Sequence, residues 1–273
     1  HTVIDSKLDF SGRPEFTVTR NQRTNSDTEF IIHEDFAYDS QDRLLSHTHK
    51  IGSLPTELLS LNSYDQLGKL ISKKTGGSDL TGSAFYQKVD YSYNIRGWLK
   101  AINSIENFAT DDGGTDLFAF AIRYNDLGQA YDPTLKALYN GNISETRWIS
   151  RSDSRERSYS YSYDALDRLR NAAYFKDRSY TKSYDESQEY DKNGNILHMV
   201  RFGDLDYSGF IIQIDELDYT YGNGNRLKKV KDNSIHPAGF KDGADIAEEY
   251  TYDANGNMVS DENKGIGTIT YNH

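Results

Sequence analysis

The chain has no cysteine, four prolines, two tryptophans and two methionines in 273 residues. Without cysteine, neither a disulfide framework nor a thiolate zinc site can form, and the composition suits the cytoplasm and an extracellular setting alike. Long apolar runs are missing too. The longest, LFAFAI at 117–122, falls far short of the roughly 20 residues that span a bilayer, so no membrane insertion is expected. The opening HTVIDSKLDF lacks a charged segment followed by an apolar one, so no secretory leader is legible there. Hydrophobic residues make up only 36% of the chain, too few for a thick two-layer core. Basic residues are outnumbered 42 to 31, a net charge of -11, which argues against a phosphate-backbone footprint and hence against a nucleic-acid partner. Helix signals are scarce, with PTELLSLNS at 55–63 the best.

What the chain has in abundance is tyrosine, 21 residues of it. A tyrosine ring can pack on one face while its hydroxyl stays wet or finds a partner, which suits half-covered surfaces. Many of these tyrosines stand in one recurring phrase, seen in FAYDSQDRLLSH (36–47), NSYDQLGKLISK (62–73), YSYNIRGWLKAI (91–102), YSYDALDRLRNAAY (161–174) and YTYDANGNMVSD (250–261). Aligned on tyrosine, the copies start at Tyr38, Tyr64, Tyr93, Tyr124, Tyr163, Tyr190, Tyr221 and Tyr252. Next to each stands Asp39, Asp65, Asn94, Asn125, Asp164, Asp191, Gly222 or Asp253. Four residues after each tyrosine come Asp42, Gly68, Gly97, Gly128, Asp167, Gly194, Asn225 and Gly256.

That restriction to Gly, Asn or Asp has a backbone meaning. A three-residue hairpin loop is a type I turn followed by one left-handed residue, a conformation open to Gly and only mildly strained for Asn or Asp. Asp or Asn after the tyrosine suits the start of the turn, where its side chain accepts a backbone N–H two residues on. Each phrase is therefore a β-hairpin with the polar knot at its tip. Counting outward places each tyrosine opposite the residue six positions later: Leu44, Leu70, Leu99, Ala130, Leu169, Ile196, Leu227 or Met258, all apolar. The adjoining pair on the other face sets Asp39 against Arg43, Asp65 against Lys69 and Asp164 against Arg168, and so helps fix register. Residues 1–35 lack the phrase and read as an irregular opening β-unit, with 36–273 as one continuous repeat region. KKTGGSDLTGS (73–83) and ATDDGGTD (109–116) read as surface connectors. The pattern weakens over 117–150, where the Tyr124 copy is degenerate and LYNGNIS (138–144) offers a second turn.

On these residues the chain resembles the YD-repeat, or Rhs, family, over about residues 29–273. The resemblance implies an all-β fold of tandem antiparallel hairpins in a continuous, curved, spiralling sheet, part of a hollow shell. It also implies a large bacterial protein, secreted or on the cell surface, related to polymorphic toxins, Tc toxin subunits and animal teneurins. Its shell encloses or carries a C-terminal toxin domain; the partners so implied are the remainder of the polypeptide, such a domain, or an export or surface protein. Gly222 in the Asp position, Trp98 in the Arg position and the Tyr124 copy depart from the pattern. The chain ends in TITYNH, as another strand begins, and both ends are expected to continue into a longer protein.

No catalytic set emerges. DKNGN (191–195) and DANGN (253–257) resemble the start of a calcium loop but place Gly fourth and lack the closing Glu, so a plain turn is the better reading. Asp111, Asp112 and Asp116 are better read as a solvated loop than as a metal site. His47 and His49, with His33, could reach zinc only without a supporting shell, and surface histidines on a strand are commoner. No nucleophile or zinc-hydrolase motif occurs. The expectation is a structural, non-enzymatic segment without cofactor. An adhesion or carbohydrate-binding module using Trp98 and Trp148 stands as the alternative, and a hydrolase hidden in 105–150 as a third reading.

Overall fold

The fold is a computed structural model and describes residues 1–24, 26–110, 116–128, 130–207 and 209–272. It is nearly all β: antiparallel strands, with 3-10 turns at Asn223–Asn225 and Glu262–Lys264 as its named helical elements. Two compact units divide the chain, 1–121 with 148–154, and 122–147 with 155–273.

In the first unit the strands are β1 Thr2–Leu8, β2 Pro14–Asn21, β3 Phe30–Tyr38, β4 Leu44–Ile51, β5 Glu57–Tyr64, β6 Leu70–Thr75, β7 Gln87–Tyr93, β8 Leu99–Ile102 and the start of β9 Phe118–Arg123. Each pairs antiparallel with the next. The segment 55–63 forms strand β5 rather than a helix. Its burial alternates, with Leu58 and Ser60 buried and Leu59 between them half-buried, a period of two that a strand satisfies and a helix does not. The 73–83 connector explains the depth of Leu58: Leu58 and the Gly76–Gly77 backbone exchange hydrogen bonds at 2.9 and 3.0 Å, so the connector folds back over β5. A small core of Ile105, Phe108 and Ala119 is covered by Ala121 and Ile149.

The second unit holds β11 Glu156–Tyr163, β12 Leu169–Lys176, β13 Ser179–Tyr180, β14 Glu186–Tyr190, β15 Ile196–Phe202, β16 Gln213–Tyr221, β17 Leu227–Asp232, β18 Tyr250–Tyr252 and β19 Met258–Asp261. β10, Glu145–Ser150, falls across the division. β18 and β19 form a separate two-stranded sheet. Leu217 of β16, Val230 of β17 and Tyr250 of β18 make a buried cluster of this unit, flanked by Met199, Tyr219 and Phe240. Among the described residues, more polar and charged residues than hydrophobic ones are fully buried. The low apolar content thus appears as an interior rich in polar side chains, in which the Glu145, Ser158, Ser160, Ser183 and Gln188 side-chain oxygens have no hydrogen-bond partner among the described residues.

The turns follow the spacing. Tyr38 lies opposite Leu44, Tyr64 opposite Leu70, Tyr93 opposite Leu99, Tyr163 opposite Leu169, Tyr190 opposite Ile196, Tyr221 opposite Leu227 and Tyr252 opposite Met258. The left-handed slot is occupied as expected, with φ of 95° at Gly194 and 89° at Gly256, and Asp42 and Asp167 at 66° and 62°. A Cβ on Gly194 would meet nothing within 4 Å, so only backbone strain opposes substitution there. Gly194→Val should cost about 1–2 kcal/mol; chemical denaturation showing no loss would contradict the turn assignment.

Two features were not legible. Each of these hairpins carries a β-bulge beside its tyrosine: Ala37 faces Ser46 while Tyr38 faces Leu44, leaving Leu45 as the extra residue. Ile71, Lys100, Arg170, Leu197, Lys228 and Val259 hold the same place in theirs. One extra residue per hairpin raises the local twist. The second feature is the β1–β2 hairpin, which lies within the opening 35 residues and repeats the same turn with Leu8 in the tyrosine position, Asp9, Gly12 at φ 84° and Pro14 opposite Leu8.

The Tyr124 copy does not close into a hairpin. β9 ends at Arg123, and among the described residues the chain returns beside it through the Leu138 N–H, which donates to the Tyr124 carbonyl at 2.9 Å, and the Ser144 N–H, which donates to the Arg123 carbonyl at 2.8 Å. Pro133 stands where the return strand would run; it supplies no N–H and restricts the residue before it.

Candidate functional site

The candidate site residues are the repeat positions themselves, and the structure brings them into one recurring arrangement. Asp39 shows the pattern. One carboxylate oxygen accepts the N–H of Gln41 at 2.9 Å and of Arg43 at 3.0 Å, while the other takes the Arg43 Nε at 2.6 Å. Asp164 repeats this with Leu166 and Arg168 at 2.8, 3.0 and 2.6 Å, and Asp9 with Ser11 and Arg13 at 2.8, 2.9 and 2.7 Å. In Asp191 and Asp253 the side-chain donor is an amide, from Asn195 and Asn257. Asp65 binds the N–H groups of Leu67 and Lys69. The Lys69 ammonium, expected to face Asp65, reaches the Gly97 carbonyl at 3.4 Å instead.

These bonds hold the Asp9, Asp39, Asp164, Asp191 and Asp253 carboxylates below their ordinary range. The backbone N–H of the residue four positions on is the leading cause at Asp9, Asp39 and Asp164, and the Asn side chain is the leading cause at Asp191 and Asp253. The aspartate therefore spans its own turn, satisfying N–H groups that the tight loop leaves over.

The tyrosine binds the hairpin before it. Its hydroxyl donates to the main-chain carbonyl of the apolar residue that faces the preceding copy's tyrosine: Tyr64 to Leu44 at 2.9 Å, Tyr93 to Leu70 at 2.9 Å, Tyr190 to Leu169 at 2.8 Å, Tyr221 to Ile196 at 2.9 Å and Tyr252 to Leu227 at 3.0 Å. Tyr38 reaches Pro14 at 3.2 Å and Tyr163 reaches Ile143 at 2.9 Å. Tyr271, outside the aligned set, reaches Met258 at 2.8 Å. Burial raises the phenol pKa at Tyr93, Tyr163, Tyr221 and Tyr252, so each stays a donor.

The arginine closes the loop between copies. Arg13 lies over the Tyr38 ring at 4.6 Å, Arg43 over Tyr64 at 4.7 Å and Arg168 over Tyr190 at 4.7 Å, with Lys69 over Tyr93 at 5.6 Å. One guanidinium thus grips its own turn's aspartate and the next copy's tyrosine. Tyr190→Phe removes only the bond to Leu169 and should cost about 0.5–1.5 kcal/mol; a loss above about 3 kcal/mol in urea titration would mean that ring packing had also changed.

The other candidates resolve individually. Phe36 faces His47 and Glu34 faces His49, while His33 faces Lys50; strand alternation therefore puts His33 on the opposite face from His47 and His49. His47 meets Glu34 at 3.0 Å and stacks on Phe36. Trp98 is half-buried beneath the Arg96 guanidinium at 5.1 Å. Asp116 is buried, and Asp111 and Asp112 lie outside the described residues.

Within the second unit's irregular stretch, Arg147 is 3% exposed and binds Glu156 and the Tyr131 hydroxyl, with its Nε 2.7 Å from Glu156. Glu145 is fully buried, and its nearest cation is Arg123 at 3.4 Å. Neither Glu145 oxygen accepts a hydrogen bond among the described residues. Burial pushes its carboxyl up to about 7 against the pull of Arg123 and Arg147. A 530 Å³ cavity nearby is lined by Ser160, Asn171 and the 132–142 loop, without Glu145.

No known family's model matches the chain, and no curated protein does. Among solved structures, weak neighbours are Tc toxin chains. A crystal structure titled TcdB2-TccC3-TEV is 12% identical, with a TM-score of 0.25, over 87% of this chain and 13% of that one. The Tc holotoxin pore of Photorhabdus luminescens is 13% identical, with a TM-score of 0.25, over 84% and 12%. A TcdB2-TccC3 crystal structure is 8% identical, with a TM-score of 0.18, over 92% and 20%. This chain therefore spans at most a fifth of the length of those proteins. Among the described residues, no helix is long and apolar enough to cross a membrane.

Proposed function

We propose that this chain is a non-enzymatic structural segment of a large secreted or cell-surface protein of the YD-repeat, or Rhs, kind. It builds a β-shell that encloses or carries a C-terminal toxin or effector domain. The observation that supports this reading best is the tyrosine ladder: in copy after copy the hydroxyl is spent on the carbonyl of the preceding hairpin. The aspartate is likewise spent on its own turn, and the arginine on joining the two. Residues so committed extend a sheet and leave no recurring group for chemistry. The partners under this reading are the rest of the polypeptide and the enclosed domain, with no cofactor, nucleic acid or membrane insertion.

The test is limited proteolysis of the full-length polypeptide that contains this chain. A downstream domain should survive protease in the native protein and become degradable once Tyr190 and Tyr221 are both replaced by Ala. Equal cleavage in both proteins rejects enclosure. A parallel screen on sugar, peptide and nucleic-acid substrates should show no turnover, and turnover abolished by substituting one carboxylate or histidine would reject the structural role.

A further inference from the structure

The first hairpin ends the tyrosine ladder by residue type. At Tyr38, Tyr64, Tyr93 and Tyr190 two links run back to the preceding hairpin: the hydroxyl donates to its main-chain carbonyl, and its arginine or lysine lies over the ring. Leu8 holds the tyrosine position of the β1–β2 hairpin and has neither hydroxyl nor ring. This hairpin serves the next copy through the Pro14 carbonyl and the Arg13 guanidinium, but on its outer side it cannot dock onto another copy as the later ones do.

That outer side is open. All seven residues of β1 are exposed, and Ile4 and Leu8 are exposed large hydrophobic residues, with Phe10 following at the hairpin tip. The His1 amino group donates to the Gln22 carbonyl at 2.6 Å, and the Gln22 N–H donates back to the His1 carbonyl at 3.0 Å. Main-chain bonding alternates along an antiparallel pair, so Val3, Asp5 and Lys7 turn their N–H and C=O groups toward β2 while Thr2, Ile4, Ser6 and Leu8 turn theirs outward. Such a row is a template for a further strand.

We propose that β1 pairs antiparallel with β1 of a second copy of this chain, about a two-fold axis at Ser6. The charges select this register. With the axis at Ser6, Asp5 of each copy faces Lys7 of the other, and Ile4 faces Leu8; with the axis at Asp5 or at Lys7, like charges stand directly opposite. Charges of one sign would blunt an edge, whereas Asp5 and Lys7, opposite in sign and two residues apart, complement a second copy of themselves. Within the hairpin Asp5 pairs with Arg20 and Lys7 with Glu15, all four exposed. A second copy extends these pairs into a row of alternating sign, from Arg20 and Asp5 to Lys7 and Glu15 of the other copy. Ile4 and Leu8 lie on the face opposite the charges and cover each other twice. An isologous contact of this kind closes on itself, giving a dimer rather than a filament. The inference rests on the ladder geometry and is independent of what a shell would enclose.

The test is sedimentation equilibrium of the whole chain. A single strand pair lies at the small end of interfaces, so a dimer with a Kd of about 1–100 µM is expected. Asp5→Lys alone and Lys7→Asp alone each set like charges opposite at both symmetry-related pairs, and each should weaken the dimer at least about tenfold. The double variant Asp5→Lys/Lys7→Asp restores opposite charges and should recover the wild-type Kd within about threefold. An equimolar mixture of the two single variants should form a heterodimer. Circular dichroism confirms that the variants stay folded. A wild-type chain that remains monomeric at about 500 µM overturns the proposal, and a strand from elsewhere in the same polypeptide lying on this edge would give that result. A dimer that both single reversals leave intact, or that the double variant fails to restore, also overturns it, because the copies then meet elsewhere.

Discussion

Tyr174→Ala is expected to destabilise the unit formed by 122–147 and 155–273 by about 3–5 kcal/mol. Tyr174, on β12, is the largest fully buried side chain in the chain's described part, at 2% exposure. It lies directly opposite Tyr159, with ring centroids 5.3 Å apart, and meets Tyr184 edge-on at 5.2 Å. Its hydroxyl donates to Asp206 at 3.1 Å. Truncation removes the ring, opens a cavity beside Tyr159 and Tyr184, and leaves Asp206 one donor short. Tyr174→Phe separates these contributions. Burial pushes the Asp206 carboxyl up, yet hydrogen bonds from Lys176, Arg157 and Tyr174 outweigh it and hold the pKa low. With Lys176 and Arg157 still in place at 2.8 and 3.0 Å, the Phe variant should cost only about 1 kcal/mol. Urea denaturation distinguishes the cases, and an Ala variant within about 1 kcal/mol of wild type would show that Tyr174 is not a packing centre.

Tyr174 also marks how far the sequence could be read. Its place opposite Tyr159 depends on the Arg170 bulge, because counting outward from the Tyr163–Leu169 pair without it sets Tyr159 against Ala173; the turn geometries at Gly194 and Gly256, by contrast, follow from the steric rule that confines positive φ to a few residue types. Those are local consequences, written within a few residues. The tyrosine hydroxyl's acceptor was not legible, because it is a main-chain carbonyl about 20 residues earlier and any residue supplies one. The bulges were hidden for a similar reason: Leu45, Ile71, Arg170 and Lys228 share no side-chain type that would announce them. The first hairpin escaped notice because Leu8 and Pro14 replace the pair by which the copies were aligned, although Asp9, Gly12 and Arg13 keep the turn. The helix expected at 55–63 failed because its leucines suit either period, and the connector that buries Leu58 decided for the strand.

The arginine's double role was half visible. Asp39 with Arg43 and Asp164 with Arg168 are cross-strand pairs that spacing alone sets face to face. That each guanidinium also stacks on the next tyrosine depends on how successive hairpins abut, which no single copy encodes. Asp65 with Lys69 shows the limit of charge reasoning: a primary ammonium on a flexible stem reaches the Gly97 carbonyl, whereas the planar guanidinium of Arg43 stays with its carboxylate.

The second large effect is a dependence on pH that runs against the usual carboxylate trend. Glu145 is wholly buried, and desolvation lifts its pKa from 4.5 to about 7 despite Arg123 and Arg147. Between these values the unfolded chain has released the proton while the fold retains it. Folding then takes up a proton, and stability falls as pH rises from about 4.5 through about 7, by at most about 3 kcal/mol. The turn aspartates have the opposite sign. Asp9, Asp39, Asp164, Asp191 and Asp253 are held below 3.8, so their contribution is present above that value and disappears as pH falls through their folded pKa. Together the two sets place the stability maximum at mildly acidic pH, between about 4 and 5. Glu145→Gln removes the titration while keeping the shape. The variant should match wild type near pH 4.5 and exceed it by about 1–3 kcal/mol at pH 8. Denaturation midpoints measured across this range decide the matter: a flat wild-type profile from pH 4.5 to 8, or an equal slope in Glu145→Gln, would show that Glu145 is not the group responsible.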